Sequence, residues 1–209
     1  MKNHGRRVLV ACLIGSFGIS AAAQTPGMSA ADTKELNSYR LTMENVKKAH
    51  VAMRTLFEEM RKDPKYQALM KLNAEIEALE KKEELTDAEA ERLSTLQQQK
   101  EQQEDALDAG VNMSNAKTID DMEAQIKSHP PMVRALTQAG MTPREYSKFM
   151  MTMLMSAMVA GFQKSGLVKE LPKDLQAIHP DNVKFVIEHE AELKAMQEEL
   201  NRLGRGSSR

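Results

Sequence analysis

The pattern of apolar positions along the chain predicts an all-helical protein. Apolar residues recur three and four positions apart, and no stretch alternates apolar with polar side chains as a half-buried strand does. We predict the first long helix from Ala30 to Lys62. Its 3.5-residue repeat lasts four heptads, which indicates lengthwise packing against other helices at a shallow angle. The repeat consists of Leu36, Tyr39, Met43, Val46, His50, Met53, Phe57 and Met60.

Residues 63–110 predict an antiparallel helical hairpin. Asp63 and Pro64 supply an N-cap and a first-turn proline for one helix. Thr86 and Glu89 form a capping box that begins the second helix. Because the connection between them is short, the two helices are expected to pack side by side in opposite directions. The second helix is almost wholly polar from residue 97 to 105, so we expect that end to be solvated.

Residues 111–203 form the methionine-rich part of the predicted core. Its main helix begins after the N-cap Thr142, and between Phe149 and Phe162 only Thr152 and Ser156 are polar. We expect a helix this apolar to be buried on nearly all sides. Fourteen residues are too few to span a bilayer, which needs about 20. The sequence therefore predicts a buried central helix and no transmembrane segment.

The last helix is predicted from Asp181 to Leu203. The expected fold class is all-α, a long-helix bundle with an antiparallel helical hairpin and a buried Met-rich central helix. A single domain, residues 30–203, follows a flexible lead-in at 24–29 and precedes a disordered tail at 204–209. The seam of the last helix consists of Val186, His189, Leu193, Met196, Leu200 and Leu203.

Residues 1–23 have the layout of a secretory signal peptide. A basic start precedes an apolar stretch from Val8 to Ile19, and small residues lead to a cleavage site between Ala23 and Gln24. We therefore expect a periplasmic or secreted protein. The alternative is a lipid anchor at Cys12, since residues 9–12 match a lipoprotein acceptor site. Only four apolar residues precede Cys12, fewer than the roughly 7–15 that such a leader uses.

Charge and cysteine content limit the expected partners. Without Lys2, Arg6 and Arg7 of the leader, the chain has 26 basic and 30 acidic residues, a net charge of −4. A protein that binds phosphate backbones needs a basic stripe, so nucleic acid is not an expected partner. Cys12 is the only cysteine, so the exported form must hold its fold by packing alone.

A group of methionines is the first candidate for a metal site. Five lie within nine positions, and thioethers are soft ligands for copper(I). On a helix, however, these side chains point in different directions and cannot converge on one ion. Their expected role is that of a flexible core filler or an adaptable apolar surface. The five are Met150, Met151, Met153, Met155 and Met158.

Two histidines interrupt otherwise apolar seams. If the first and last long helices pack together, His50 and His189 could meet beside Met53 or Met196 as a metal or haem site. No E-x-x-H, H-E-x-x-H or C-x-x-C-H motif supports this arrangement. We therefore expect both histidines to be structural and expect no cofactor.

The sequence lacks the motifs of a catalytic site. It contains no G-x-S-x-G, phosphate-binding glycine loop, metalloprotease motif or nucleophilic cysteine, so we do not expect an enzyme. The segment Leu85-Thr86-Asp87-Ala88-Glu89 resembles the LTxxQ motif of the Spy-type periplasmic chaperones. Glu89 replaces the glutamine of that motif, and one copy is present where the family has two. The resemblance implies client binding on an apolar concave face.

The favoured function is protein–protein interaction or a scaffold role, with self-association through helical seams as one form of it. Chaperone activity is the first alternative. Metal or haem binding through the histidines is the second.

Overall fold

The computed structural model describes residues 29–106, 116, 118–166, 173–176 and 178–205. Within these ranges the regular structure is entirely helical, which confirms the all-α class. The helices are α1 Ala30–Ser38, α2 Met43–Met60, α3 Pro64–Glu80, α4 Asp87–Ala106, α5 Ile119–Lys127, α6 Pro130–Gln138, α7 Pro143–Ser165, α8 Lys173–Gln176, α9 Pro180–Glu188 and α10 Glu190–Arg205. The predicted signal peptide, its cleavage site and Cys12 lie outside the described residues, as do most of the lead-in and of the tail.

The predicted first helix is two helices, because the chain is extended between Tyr39 and Thr42. Tyr39 ends α1 at φ −73° and ψ 138°, and the Thr42 side chain accepts the backbone N–H of Asn45 to begin α2. Asn182 of α9 fills the gap. Its Oδ1 accepts from the N–H of Leu41 and its Nδ2 donates to the carbonyl of Tyr39, both at 2.9 Å. The break is therefore stabilised by a residue far away in sequence.

The predicted last helix is also divided, and it ends later than expected. His189 leaves helical geometry at φ −103° and ψ 13°, so α9 ends there and α10 begins at the next residue. Gly204 was expected in the disordered tail, but it belongs to α10. Its carbonyl accepts the Tyr66 hydroxyl at 3.1 Å, and Arg61 Nε donates to the carbonyl of Leu203 at 3.1 Å. These donors satisfy the last carbonyls of α10, which explains why the helix continues.

The main core is a bundle in which α7 is central. Helix α2 packs against α6 and α10, while α7 packs against α5 and α9 and also touches α1, α6 and α8. This arrangement confirms the bundle and the central position of the Met-rich helix. The largest completely buried apolar side chains in it are Leu36, Ile119, Ile126, Leu136, Tyr146, Phe149, Met153, Leu175 and Leu200.

The helical hairpin is confirmed, and it has a small core of its own. Leu72 and Ile76 of α3 pack with Leu96 of α4, and Leu79 and Leu93 lie at the edge of this cluster. Neither α3 nor α4 shares an extensive interface with another described helix. The hairpin is therefore attached to the bundle mainly at its base, near the end of α10.

Candidate functional site

The start of α7 is the one that the sequence predicts. The Thr142 side chain accepts the N–H of Glu145 at 3.1 Å, and Pro143 occupies the first turn. At the other end Gly166 adopts the left-handed conformation, with φ at 62° and ψ at 8°. This conformation favours glycine and stops the helix.

Arg144 fixes the first turn of α7 to two other helices. Its Nη2 donates to Glu35 of α1 at 2.6 Å, and its Nη1 donates to Asp120 at 2.7 Å and to Glu123 at 2.9 Å, both of α5. These carboxylates raise the pKa of Arg144. Hydrogen bonds from Lys127 and then from Arg144 lower the pKa of Glu123. The cluster links the N-terminal turn of α7 to α1 and α5.

The buried side of α7 contains the two polar residues of its apolar stretch. Thr152 and Ser156 are completely buried, beside Phe149, Met153 and Val159. Within the described residues, neither hydroxyl has a hydrogen-bond partner. Their side chains are small, and together with Ala160 they repeat every four positions on one side of the helix. Small residues in such a row let neighbouring helices approach closely, which is why this side faces inward.

The opposite side of α7 is apolar and faces outward, so the prediction of nearly all-round burial is corrected. Leu154, expected in the core, is 53% exposed. A Cβ added to Gly161 would meet nothing within 4 Å, so open space lies beside that position. The side chains share this side because their spacings are three and four. We call it the α7 apolar face, and it consists of Met150, Met151, Leu154, Ala157, Met158 and Gly161, of which the methionines and Ala157 are partly buried.

The α7 apolar face contains only apolar residues. It carries no ionisable side chain, so it offers no proton donor or acceptor for acid–base catalysis. Its three thioether side chains are flexible and polarisable, and such side chains adapt to apolar partners of different shapes. The face can therefore bury an apolar surface but has no group to transform one.

Two other large apolar side chains are exposed in the described part of the chain. Val51 of α2 is 49% exposed and Ile187 of α9 is 39% exposed. Ile187 borders a groove of about 540 Å³ between α7, α8 and α9, together with Val159, Leu175 and Val183. Lys184 and Glu188 also line this groove, so it mixes charged with apolar groups.

The two histidines that the sequence suggested as a metal pair lie beside different glutamates of α10. His50 Nε2 lies 3.5 Å from Glu199 Oε2, whereas His189 Nδ1 lies 3.7 Å from Glu192 Oε2. Those glutamates are two turns apart on α10, about 10 Å of helix rise. The imidazole of His189 packs against the ring of Phe185 at a centroid distance of 4.6 Å.

The two candidate methionine ligands lie in different surroundings. Met53 is buried, and its sulfur accepts the hydroxyl of Tyr146 at 3.3 Å. Met196 packs, partly buried, at the edge of the main core. In the described part of the chain, no three His, Cys, Asp or Glu side chains form a group that could hold a metal ion. The four candidates thus have different neighbours among the described residues.

The residues that resemble the chaperone motif form a helix cap. The backbone N–H and the hydroxyl of Thr86 each donate to Glu89 Oε2 at 3.1 Å, and the N–H of Glu89 donates to Thr86 Oγ1 at 3.3 Å. Lys82 also pairs with Glu89. This pairing and the cap bonds lower the pKa of Glu89 to about 2. The predicted capping box is thus present. Helix capping explains Thr86 and Glu89 without any role in binding chaperone clients.

Comparison with known proteins gives no relative on which to base a function. No protein-family model, curated protein or solved structure matches this chain. Among the described helices, none combines the length and apolar character required to cross a membrane.

Sequence reasoning did not identify Leu154 and Gly161 as surface residues. In a helix that is apolar almost all round, the pattern does not show which side faces outward. Gly161 is the residue that could have indicated the outward side. A glycine inside a helix weakens it by about 1 kcal/mol relative to alanine. Glycine at such a position is often retained where another surface approaches the backbone closely.

Proposed function

We propose that this chain is an exported interaction protein that binds an apolar helical segment of a partner protein on the α7 apolar face. The observation that carries the proposal is the orientation of α7. Leu154 is more than half exposed among partly buried methionines, while Thr152 and Ser156 are completely buried. Contiguous apolar side chains on a protein surface mark interaction sites.

The shape of the face favours an amphipathic helix as its occupant. From Met150 to Gly161 it extends about 16 Å along α7, three turns of helix. The apolar stripe of an amphipathic helix has similar proportions, and such helices bind through side chains spaced three and four apart. Methionine side chains can repack around different sequences, which suits a surface with several partners.

The size of the face favours transient binding over a permanent assembly. A strip three turns long and one helix wide is far smaller than the roughly 800 Å² per partner of a standard stable interface. Self-association through this face alone would therefore be weak. Chaperone-like binding of non-native clients would use the same surface, and it differs from the main proposal only in the folded state of the partner.

The proposed location rests on the leader. The basic start, the apolar stretch and the small residues before Gln24 are typical of a cleaved signal peptide. Mass spectrometry of the periplasmic or secreted protein should find Gln24 at its N-terminus. A diacylated Cys12 there would instead place the protein on a membrane.

A labelled synthetic peptide tests the binding proposal. The peptide is an amphipathic helix with a leucine stripe, and its binding is followed by fluorescence anisotropy. Leu154→Asp should weaken binding by roughly tenfold or more, because a charge on the face must be desolvated when the partner docks. Val51→Asp is the matched control, since Val51 is similarly exposed on α2, and this variant should bind as the unmodified protein does.

Two results would count against the proposal. If the unmodified protein does not bind the peptide, the face is not a binding surface for apolar helices. If both aspartate variants lose affinity equally, binding does not depend on α7. Preferential binding of a permanently unfolded polypeptide over the helical peptide would favour the chaperone alternative.

A further inference from the structure

We infer that Met150, Met151 and Met158 are an oxidation-sensitive set, and that their conversion to sulfoxides switches off binding at the α7 apolar face. This inference rests on the proposed function, since the binding that oxidation would end is the binding proposed above. The set is defined by its position on the surface of α7.

Burial divides the five methionines of α7 into two groups. Met153 and Met155 are buried, at 2% and 8% exposure. Met150, Met151 and Met158 lie on the outward side and are partly exposed. All five carry the same thioether group, so their intrinsic chemistry is the same. Access of an oxidant is therefore the main difference between the two groups.

The chemical step is oxygen transfer from a peroxide to a thioether. The sulfur lone pair attacks one peroxide oxygen, a sulfur–oxygen bond forms, and the oxygen–oxygen bond breaks. The sulfur loses two electrons, and hydrogen peroxide is reduced to water. The product, methionine sulfoxide, is polar, so oxidation places polar groups across an apolar surface.

The position of the three sulfurs explains why binding would be lost while the fold remains. Their side chains surround Leu154, the most exposed large apolar side chain of the described residues. Sulfoxides there would have to be desolvated by an apolar partner, which opposes docking. The buried side of α7 would retain its packing because Met153 and Met155 are protected.

The competing targets for the oxidant are other methionines. Its single cysteine, Cys12, lies in the predicted leader, so the exported form has no thiol to react first. Partly exposed methionines on other helices would also be oxidised, but they are not on the face. They provide the control set, which consists of Met43, Met60, Met70 and Met196.

Peptide mapping after a hydrogen peroxide time course tests the selectivity. Trypsin releases residues 149–164 as one peptide that contains all five methionines, and fragmentation assigns each added oxygen. We expect Met150, Met151 and Met158 to oxidise several-fold faster than Met153 and Met155, with no change in helical circular dichroism. Equal rates in the two groups, or faster oxidation of the buried pair, would overturn the inference.

Binding of the labelled leucine-stripe peptide before and after peroxide tests the switch. Each variant is compared with its own untreated form. The unmodified protein should lose roughly tenfold or more in affinity on oxidation. A variant with leucine at positions 150, 151 and 158 should retain its own untreated affinity, whereas a variant with leucine at the four control positions should lose affinity as the unmodified protein does.

The outcomes separate the inference from the proposed function. Equal loss of affinity in the two leucine variants would overturn the switch, because oxidation would then act elsewhere. Unchanged affinity of the oxidised unmodified protein would also overturn it. If the untreated protein binds no peptide, the proposed function and the switch both fail, while the oxidation rates still report whether the three sulfurs are accessible.

Discussion

Two serines of α7 show how one residue type can have opposite effects on stability. Ser147 and Ser156 are both completely buried. The hydroxyl of Ser147 donates to the carbonyl of Pro143 at 2.9 Å, whereas that of Ser156 has no hydrogen-bond partner within the described residues. A buried polar group without a partner costs free energy, and a satisfied one contributes about 1 kcal/mol.

Replacing each serine by alanine should therefore change the free energy of unfolding differently. Ser147→Ala should destabilise the protein by about 1 kcal/mol, because a hydrogen bond is lost. Ser156→Ala should be neutral or stabilising, because it removes an unsatisfied hydroxyl. Urea unfolding followed by circular dichroism measures both. A larger loss for Ser156→Ala than for Ser147→Ala would show that the Ser156 hydroxyl is satisfied in solution.

At the residue scale, the sequence predicted local features well and orientation poorly. The caps at Thr86 and Thr142 depend on residues three positions away, and both are present in the structure. The inward position of Ser156 depends on how closely other helices approach α7. That distance is a property of the packed bundle, so the local pattern could not reveal it.

Among the described elements, the α3–α4 hairpin has few contacts with the rest of the bundle. Because the cluster of Leu72, Ile76 and Leu96 is separate from the main core, a defect there should remain local. Ile76→Asp should increase amide hydrogen exchange across α3 and α4 and leave the exchange of α7 unchanged. Mass spectrometry of deuterated peptides measures this. An equal increase in α7 would show that the hairpin and the bundle unfold as one unit.

The ion cluster between α1, α5 and α7 should make stability depend on pH. Lys127 and Arg144 lower the pKa of Glu123 below its usual value of 4.5. A carboxyl whose pKa is lower in the folded state stabilises the fold above the unfolded pKa, and this contribution is lost as the pH falls through the folded pKa. At neutral pH, the unmodified protein should therefore have a larger free energy of unfolding than the Glu123→Gln variant. Lowering the pH below about 4.5 should reduce this difference.

Urea titrations of both proteins across this pH range check the prediction. Lys127→Gln provides the control, because it removes the largest cause of the lowered pKa. In that background, the substitution Glu123→Gln should change the free energy of unfolding less at neutral pH than it does in the unmodified protein. A difference that grows on acidification would contradict the assigned direction of the pKa shift.

At the scale of elements, the hairpin, the Met-rich helix and the helices near both ends were predictable, but two helix breaks were not. The apolar seam continues through both breaks, so periodicity gave no sign of them. The break before Thr42 depends on Asn182, which lies 141 residues from its hydrogen-bond donor Leu41. Contacts over such separations become visible only when the fold is known.

The whole molecule places an apolar helix at its centre and leaves one side of that helix open. The sequence correctly predicted the bundle, the hairpin and the central position of α7. It did not predict the outward side, since an almost uniformly apolar helix has no polar face to mark the solvent. The proposed binding function follows from that outward side, and the described histidines and glutamates contribute no comparable site.

The central claim is that α7 buries its Thr152–Ser156 side and exposes its Leu154 side. Single cysteines test it directly, because Cys12→Ser leaves the chain without any other thiol. In that background we compare the maleimide labelling rates of Leu154→Cys, Ser156→Cys and Val51→Cys. We expect positions 154 and 51 to react at similar rates, and position 156 to react roughly tenfold or more slowly, through local opening. Faster labelling at 156 than at 154 would contradict the orientation of α7 and the function proposed from it.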